Sequence, residues 1–436
     1  MRTKGTGTQS GTSPGARPRR STSMYDAIIV GARCGGAPLA MLLARRGHRV
    51  LVLDRAALPS DTVSTHYLHQ AGLARLQAWD LLDEVVAAGT PASRSMHYAH
   101  RDVTMIGFAD PVDGIDAVYC PRRVVLDEIL VNAARRAGAE VVDGFAVTDV
   151  IWDDGRVVGV RGRSGSGTEQ EFRGALVVGA DGAHSTIAKR VGAETYNVRP
   201  AAGFTYYSYF EGLDDWGMHH RTGHHGTWAG TWPTNGGQLV AVIGRKDLLR
   251  EFRQDVPRHF QAVLDDVAPE LGEQMRDRGR ALEPFVPMRY PDNFYRQAAG
   301  PGWALVGDAG YHKDPLTGWG ITDAFLQAEM LADAVTRSAS GETDPSAALA
   351  EYGKRRDEDT AVLYDYTTTV AELDELPPFF QAVLEAAGST ERWTTAMLGW
   401  IAGGVPDHEI FSPEGLQALY DDAGLPEERR VYDPTA

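Results

Sequence analysis

Cysteine is nearly absent: Cys34 and Cys120 are the only two in 436 residues. That is too few for a disulfide framework or a cysteine zinc site, so a reducing, cytoplasmic setting is the expectation. Long apolar runs are missing as well. No stretch approaches the roughly 18 uninterrupted apolar residues of a membrane-spanning helix, and no membrane span is expected. Lysine is absent between Lys4 and Lys189, and 43 Lys and Arg face 59 Asp and Glu, a formal net charge of −16. Such a field repels phosphate backbones and argues against nucleic acid as a partner. No repeat of fixed period is present.

The length suggests about two associated domains, and the 43% hydrophobic content is that of a globular protein. Residues 1–23 are rich in Gly, Ser, Thr, Pro and Arg, with Arg19-Arg20 just ahead of the first strand. No apolar stretch with a small-residue cleavage site follows. The expectation is therefore a disordered extension, or an overcalled start before Met24, rather than a twin-arginine signal.

From Met24 the pattern reads strand (Tyr25–Val30), glycine turn, helix, strand (Arg49–Leu53). Arg123–Ala137 has helical spacing. The Val147–Val160 region turns at Asp153-Asp154-Gly155 as a hairpin, and Ala175–Gly179 reads as a buried strand. Between about 201 and 244 the character changes to antiparallel sheet, with Phe204, Tyr206, Ser208 and Phe210 alternating against Thr205, Tyr207 and Tyr209, and with the turn Asn235-Gly236-Gly237. Leu248–Phe252 and Phe260–Met275 read as amphipathic helices. Trp303–Val306 returns to buried strand before a second glycine-rich turn and the helix Thr322–Arg337. The tail from about Tyr352 is helical, broken at Pro377-Pro378 and Gly403-Gly404, and carries no recognisable chemistry. The expected fold is α/β and Rossmann-like. A discontinuous nucleotide domain is expected over 24–92, 121–195 and 285–350, with an inserted antiparallel substrate domain over 93–120 and 196–284 and a helical region over 351–436.

Three turns carry the chemistry. Gly31-Ala32-Arg33-Cys34-Gly35-Gly36 sits between strand and helix where a GxGxxG dinucleotide fingerprint belongs, and Asp54 ends the next strand. A helix N-terminus attracts a pyrophosphate, and a carboxylate at that strand end accepts from ribose hydroxyls. Arg33 replaces the second glycine, so its guanidinium either turns aside to pair with phosphates or marks an ordinary structural turn. The second turn, Gly179-Ala180-Asp181-Gly182-Ala183-His184-Ser185, resembles the GADGxxSxxR motif of class A flavoprotein hydroxylases, the p-hydroxybenzoate hydroxylase type. Ala188 stands at that family's arginine, with Lys189 and Arg190 following. The third, Gly307-Asp308-Ala309 through Asp314-Pro315-Leu316-Thr317-Gly318-Trp319-Gly320-Ile321-Thr322, resembles GDAAHxxxPxxGxGxN, with Tyr311 at the usual His and Thr322 at the usual Asn. Arg123-Val124-Val125-Leu126 resembles the family's RxxL helix start.

That resemblance implies FAD as cofactor and a glutathione-reductase/p-hydroxybenzoate-hydroxylase type of fold. It assigns cofactor contacts to Gly31, Arg33, Gly36, Asp54, Arg55, Arg123, Val147, Asp181, Asp308, Pro315, Gly318, Gly320 and Ile321. In the family the first Asp of the third turn holds a ribityl hydroxyl. The following loop opens a helix toward the flavin edge that gains negative charge on reduction. It further implies NAD(P)H as electron donor and oxygen as co-substrate. Reduced flavin would combine with oxygen at C4a and pass one oxygen atom to an apolar or aromatic molecule of secondary metabolism, by hydroxylation or epoxidation. Tyr206, Tyr207, Tyr209, Phe210, Trp228 and Trp232 would line or support the substrate pocket, although strand alternation sends half of them to the opposite face. His66, Tyr207 and Trp319 are the catalytic candidates.

Rival readings remain. Geranylgeranyl-reductase-like flavoproteins, which move hydride to an alkene, tolerate variation in the first turn. Flavin-dependent halogenases would need a lysine beside the tunnel and a WxWxIP sequence, and Trp228-Ala229-Gly230-Thr231-Trp232-Pro233 has the wrong spacing. A fold-sharing binding protein of the Rab GDP-dissociation inhibitor kind would have no use for the third turn. His219-His220 and His224-His225, expected in a glycine-bearing loop, match no zinc spacing, so no metal is expected.

Overall fold

Residues Tyr25–Val30, all but one of them buried, form the centre of a sheet because a strand covered on both faces needs apolar residues at every position. In the computed structural model, which describes residues 24–214 and 217–433, this strand is flanked by Val50–Leu53 and Glu169–Gly179, with Glu140–Val142 and Trp303–Leu305 outside them, all parallel. The expected disorder of residues 1–23 lies outside the described residues. Side chains alternate between the two faces. Ala27, Ile29, Val50 and Val52 pack against the helices Gly36–Arg45, Arg123–Arg136 and Gly320–Ala339. Ile28, Val30, Leu51 and Leu53 pack against Phe145, Val150 and Val157 of a long hairpin. That hairpin, Phe145–Asp153 with Arg156–Ser164, turns at Asp154 and Gly155, whose φ angles of 44° and 73° suit the twist of the flanking strands.

The second sheet runs in the order Arg280–Ala281, Gly203–Glu211, Gly237–Arg245, Thr227–Thr234, Met218–Thr222, Met96–His100, Val103–Gly107. Its alternation divides the aromatic residues. Phe204, Tyr206 and Phe210 face the helices Leu249–Phe252 and Val256–Val267, where they form ordinary core with Phe260 and Leu264. Tyr207, Tyr209, Trp228 and Trp232 face the other way, toward Tyr67 and Leu316.

His219 and His220 are not in a loop. They lie in the buried strand Met218–Thr222, parallel to Met96–His100 and antiparallel to Thr227–Thr234. A strand position between two partners satisfies their backbone, and both rings enter aromatic contacts. His219 stacks on His97 at 4.2 Å, and His220 stacks on Trp232 at 5.9 Å.

The tail folds as the helices Pro345–Val370, Pro378–Gly388, Glu391–Ala402, Asp407–Phe411 and Pro413–Asp422. Asp344 caps the first through the N–H groups of Ser346 and Ala347. Arg356 in this helix is fully buried and donates to the carbonyls of Gly310 (3.1 Å) and Arg296 (2.8 Å). The tail thus clamps the turn that follows Leu305. No helix among the described residues is long and apolar enough to cross a membrane.

Candidate functional site

Parallel strands deliver the turns that follow them to one edge of the sheet, where open α/β sheets bind ligands. Val30 leads to Gly31, Leu53 to Asp54, Gly179 to Asp181, and Leu305 to Asp308. These turns surround a cavity of about 770 Å³. Twelve of the thirteen expected cofactor residues line it: Gly31, Arg33, Asp54, Arg55, Arg123, Val147, Asp181, Asp308, Pro315, Gly318, Gly320 and Ile321.

Gly36 is the exception, and its role is internal. A Cβ at Gly36 would stand 1.8 Å from the Gly31 carbonyl oxygen, and one at Gly31, where φ is 104°, would stand 2.3 Å from the Ala180 oxygen. These glycines let the first and second turns abut. The N-terminus of the helix Gly36–Arg45 is thereby held at the cavity wall.

Arg33 is held at the cavity wall by protein partners. Its Nη1 meets Asp127 Oδ2 at 2.6 Å and the Ser60 carbonyl at 3.1 Å. Arg123, 9% exposed, grips the same Asp127 one helical turn along, and the Cys34 thiol donates to it at 3.4 Å. Asp127 is 1% exposed and was not singled out from sequence, although its position four residues after Arg123 is the spacing of a helical ion pair. One carboxylate therefore holds both arginines at the cavity.

The other carboxylates have distinct tasks. Asp54 accepts from the N–H groups of Ala32 and Ala56, both at 2.8 Å, tying the second strand to the first turn. Asp181 accepts from the Ser185 hydroxyl (2.5 Å) and the Thr186 N–H (2.6 Å), ordering its own loop. Burial raises the Asp181 carboxyl, and these bonds only partly offset that. Asp308 is 45% exposed, with His312 Nδ1 3.3 Å away. Burial would raise its carboxyl, but His312, Lys313 and Arg123 outweigh burial and hold it below the usual carboxylate range. An ionised Asp308 is suited to accept from a sugar or ribityl hydroxyl.

The third turn closes the cavity. Asp314 Oδ1 accepts from the Leu316 N–H at 3.0 Å, starting the short turn Pro315–Thr317, and Gly318 follows with φ of 71°. A Cβ at Gly318 would lie 3.1 Å from the side chain of Tyr67, so only glycine passes there unhindered. Gly320 opens the long helix Gly320–Ala339, and a Cβ on it would have nothing within 4 Å. That open space at a helix N-terminus, beside two arginines and an ionised Asp308, fits the residues to FAD.

A second, small cavity of about 10 Å³ adjoins the first and shares Thr65, Pro315 and Gly318 with it. Tyr67, His220, Trp228 and Trp232 supply its rings. The three catalytic candidates line neither cavity. His66, with φ of 62°, is fully buried and meets the Tyr209 hydroxyl at 2.5 Å, while Thr65 and Tyr67 on either side of it reach the small cavity. Tyr207 packs edge-on against Tyr209. Trp319 is buried and turns away from both cavities, stacking on His69 at 4.8 Å and donating to the Ile401 carbonyl at 2.8 Å.

A parallel sheet whose turns wrap a dinucleotide-sized cavity, with an antiparallel sheet packed beside it, is the fold of the FAD-binding flavoproteins. The family described as "FAD binding domain" matches residues 24–247, half of the chain, and the chain belongs to this family of FAD-dependent oxidoreductases. It is 26% identical over 349 residues to the digeranylgeranylglycerophospholipid reductase of Methanocella arvoryzae, covering 76% of this chain and 82% of that protein. The solved structure of the myxobacterial chondrochloren halogenase CndH superposes with a TM-score of 0.72 at 21% identity, covering 94% of this chain and 100% of that one. A flavoprotein/dehydrogenase from Cytophaga hutchinsonii superposes with a TM-score of 0.77 at 16% identity, over 92% of this chain and 99% of that one. These two likenesses concern the fold.

Proposed function

We propose that the protein is an NAD(P)H-dependent monooxygenase that hydroxylates or epoxidises an apolar or aromatic small molecule. The observation that carries this reading is the aromatic lining of Tyr67, His220, Trp228 and Trp232 next to the dinucleotide cavity. An apolar wall of this kind beside the cofactor would disfavour the water that intercepts a reactive oxygen species. Bound FAD supplies the redox chemistry; the chain supplies binding, orientation and exclusion of solvent. Arg33 and Arg123, fixed by Asp127, would set the positive field for the pyrophosphate. Asp308 would hold a ribityl hydroxyl, and the N-terminus of Gly320–Ala339 would face the flavin edge that becomes anionic on reduction. Arg289 and His184, both exposed on the cavity rim, are the groups suited to draw in the phosphates of NAD(P)H. Trp232 Nε1 donates to the Thr65 carbonyl at 2.9 Å, and this bond fastens the segment that separates the two cavities.

A second reading is favoured by the likeness to the Methanocella reductase: transfer of hydride to an alkene, with no oxygen consumed. Incubation of the FAD-loaded protein with NAD(P)H, labelled dioxygen and a panel of aromatic and polyketide-like compounds separates the two. Label in the product supports the monooxygenase. Turnover of an alkene under argon, with no label incorporated in air, would replace it with the reductase.

A further inference from the structure

Beside the third turn a row of tyrosines runs from the cofactor cavity to the surface. The small sheet of Thr195–Arg199, Asn293–Arg296 and Tyr311–His312 sets Tyr196 opposite Tyr295, and Tyr295 opposite Tyr311. Facing positions in neighbouring strands bring side chains into contact, and the rings follow. Tyr311 and Tyr295 lie 4.7 Å apart between centroids, and Tyr295 stacks on Tyr196 at 5.7 Å. The row starts at the cavity. Lys313, which lines the cavity with His312 and Asp308, holds its ammonium 4.7 Å from the centre of the Tyr311 ring. The other end reaches solvent: Tyr311 and Tyr295 are 2% and 3% exposed, whereas Tyr196 is 36% exposed. Tyr364 also packs on Tyr295, at 4.8 Å, but it is fully buried with its hydroxyl on the Asn197 carbonyl.

Packing alone does not call for phenols in this row. Each buried hydroxyl costs desolvation, and phenylalanine would fill the same space. What the phenol adds is a ring that can be oxidised, coupled to loss of a proton. Burial raises Tyr311, Tyr295 and Tyr196 above the usual phenol range, so all three carry their proton at neutral pH. A ring that loses an electron and keeps its proton is a cation. The apolar interior disfavours that charge, and the Lys313 ammonium beside Tyr311 repels it. Relief comes where a base accepts the proton. Tyr295 meets only the Thr360 hydroxyl, at 3.0 Å, and a neutral hydroxyl is no base. Tyr196 donates to the Asp357 carboxylate. Arg356 orients that pair, donating to the Tyr196 oxygen at 3.0 Å and to Asp357 Oδ1 at 2.8 Å.

We propose that Tyr311, Tyr295 and Tyr196 form an electron relay that drains one-electron oxidising equivalents from the cofactor cavity to the protein surface. Tunnelling weakens exponentially with distance, so two steps between neighbouring rings outrun one long jump. An oxidant at the cofactor, by class a photoexcited flavin or a reactive oxygen species, takes one electron from Tyr311. Tyr295 refills Tyr311, and Tyr196 refills Tyr295. The Tyr196 hydroxyl proton passes to Asp357, leaving a neutral tyrosyl radical beside a protonated carboxyl. A thiol or ascorbate-class donor in solvent then supplies one electron, and Asp357 returns the proton. One electron has moved from donor to oxidant, and the chain is restored. The relay requires bound FAD alone, and it is indifferent to whether the cofactor serves oxygenation or hydride transfer.

The test uses FAD-loaded, oxidised protein under blue light, with a cobalt(III) ammine that removes the transferred electron irreversibly and leaves the hole on the protein. Samples frozen during illumination are read by electron paramagnetic resonance, with and without ascorbate. The expected result is a tyrosyl signal that ascorbate quenches. Tyr295→Phe and Tyr196→Phe should each remove more than half of that signal, and Tyr364→Phe should leave it intact. Asp357→Asn keeps an oxygen for Arg356 but cannot take the proton, and it too should remove more than half. FAD content and melting temperature are measured on each variant. Tyr196 and Asp357 both reach solvent, so their variants decide the outcome if Tyr295→Phe disturbs the fold. Absence of a tyrosyl signal, a tryptophanyl signal in its place, or a signal undiminished in either Tyr196→Phe or Asp357→Asn would overturn the relay. Neither NAD(P)H nor an organic substrate enters the assay, so its result is read separately from the choice between oxygenation and hydride transfer.

Discussion

Arg33 and Arg123 share one carboxylate: Arg33 Nη1 lies 2.6 Å from Asp127 Oδ2, and Arg123 Nη2 lies 2.9 Å from Asp127 Oδ1. The side chain at the second glycine position of the fingerprint is held against the cavity wall by Asp127. Asp127→Ala would leave two cations without their counter-charge, one of them buried. Breaking a buried pair by removing one partner costs about 3–5 kcal/mol. The expected outcome is a lower unfolding midpoint and a reduced ratio of flavin to protein absorbance, with Asp127→Asn intermediate. An Asp127→Ala protein that melts like wild type and keeps its full complement of FAD would show that the shared carboxylate is dispensable.

Gly36 and Gly320 make opposite predictions. Gly36→Ala places a methyl 1.8 Å from the Gly31 oxygen, so the first turn must open and the apoprotein itself loses stability. Gly320→Ala meets nothing within 4 Å and should change apoprotein stability by no more than about 0.5 kcal/mol. Its methyl projects into the space assigned to the cofactor, so FAD affinity should fall about tenfold or more. Thermal melts of the apoproteins paired with FAD titrations check both. An FAD affinity in Gly320→Ala equal to wild type would remove the helix N-terminus from the cofactor site.

The parts of this site that could be read from sequence are those fixed by backbone geometry. Glycines at Gly31 and Gly318, and carboxylates at the ends of Leu53, Gly179 and Leu305, follow from where a chain must turn, and such turns have local signatures. Side-chain direction is not local. Trp319 lies inside the third motif, yet it points to Ile401, because its partner is 82 residues further on. His66 is flanked by cavity residues but faces Tyr209, which belongs to the other sheet. The split between Tyr206 and Tyr207 was legible as alternation, but which face met the cavity depended on the helices that cover Tyr206.

Arg356 shows the same limit in a segment that looked free of chemistry. Its guanidinium reaches the carbonyls of Gly310 and Arg296 and the Tyr196 hydroxyl from a helix that sequence marks only as helical. Arg356→Met preserves the bulk and removes the donors. Each buried acceptor left unsatisfied costs about 1–3 kcal/mol, so a loss of about 3 kcal/mol or more is expected in denaturant unfolding. Because Gly310 belongs to the turn that carries Asp308, FAD retention should fall in parallel. Unchanged retention would mean that the tail stabilises the fold without tuning the turn.

Acid should unfold this protein steeply, and buried histidines set the sign. Burial lowers His66 and His69 to about 3, and His100 and His220 to about 4, against 6.5 in the unfolded chain. Below pH 6.5 the unfolded state takes up these protons and the folded state does not. The stability they confer is therefore complete above pH 6.5 and is lost as pH falls toward 4, by up to about 1.4 kcal/mol per pH unit for each group. Asp314 acts in the opposite sense. Its raised carboxyl favours the folded state below 3.8, and that contribution disappears as pH rises through about 6, cancelling part of one histidine's effect. His220→Phe keeps a ring against Trp228 and Trp232 but removes one titrating site. Denaturant unfolding between pH 4.5 and 7 should give a plot of stability against pH that is shallower by about one proton for this variant. Parallel plots for the two proteins would show that His220 takes up its proton equally in the folded and unfolded states, and would overturn this prediction.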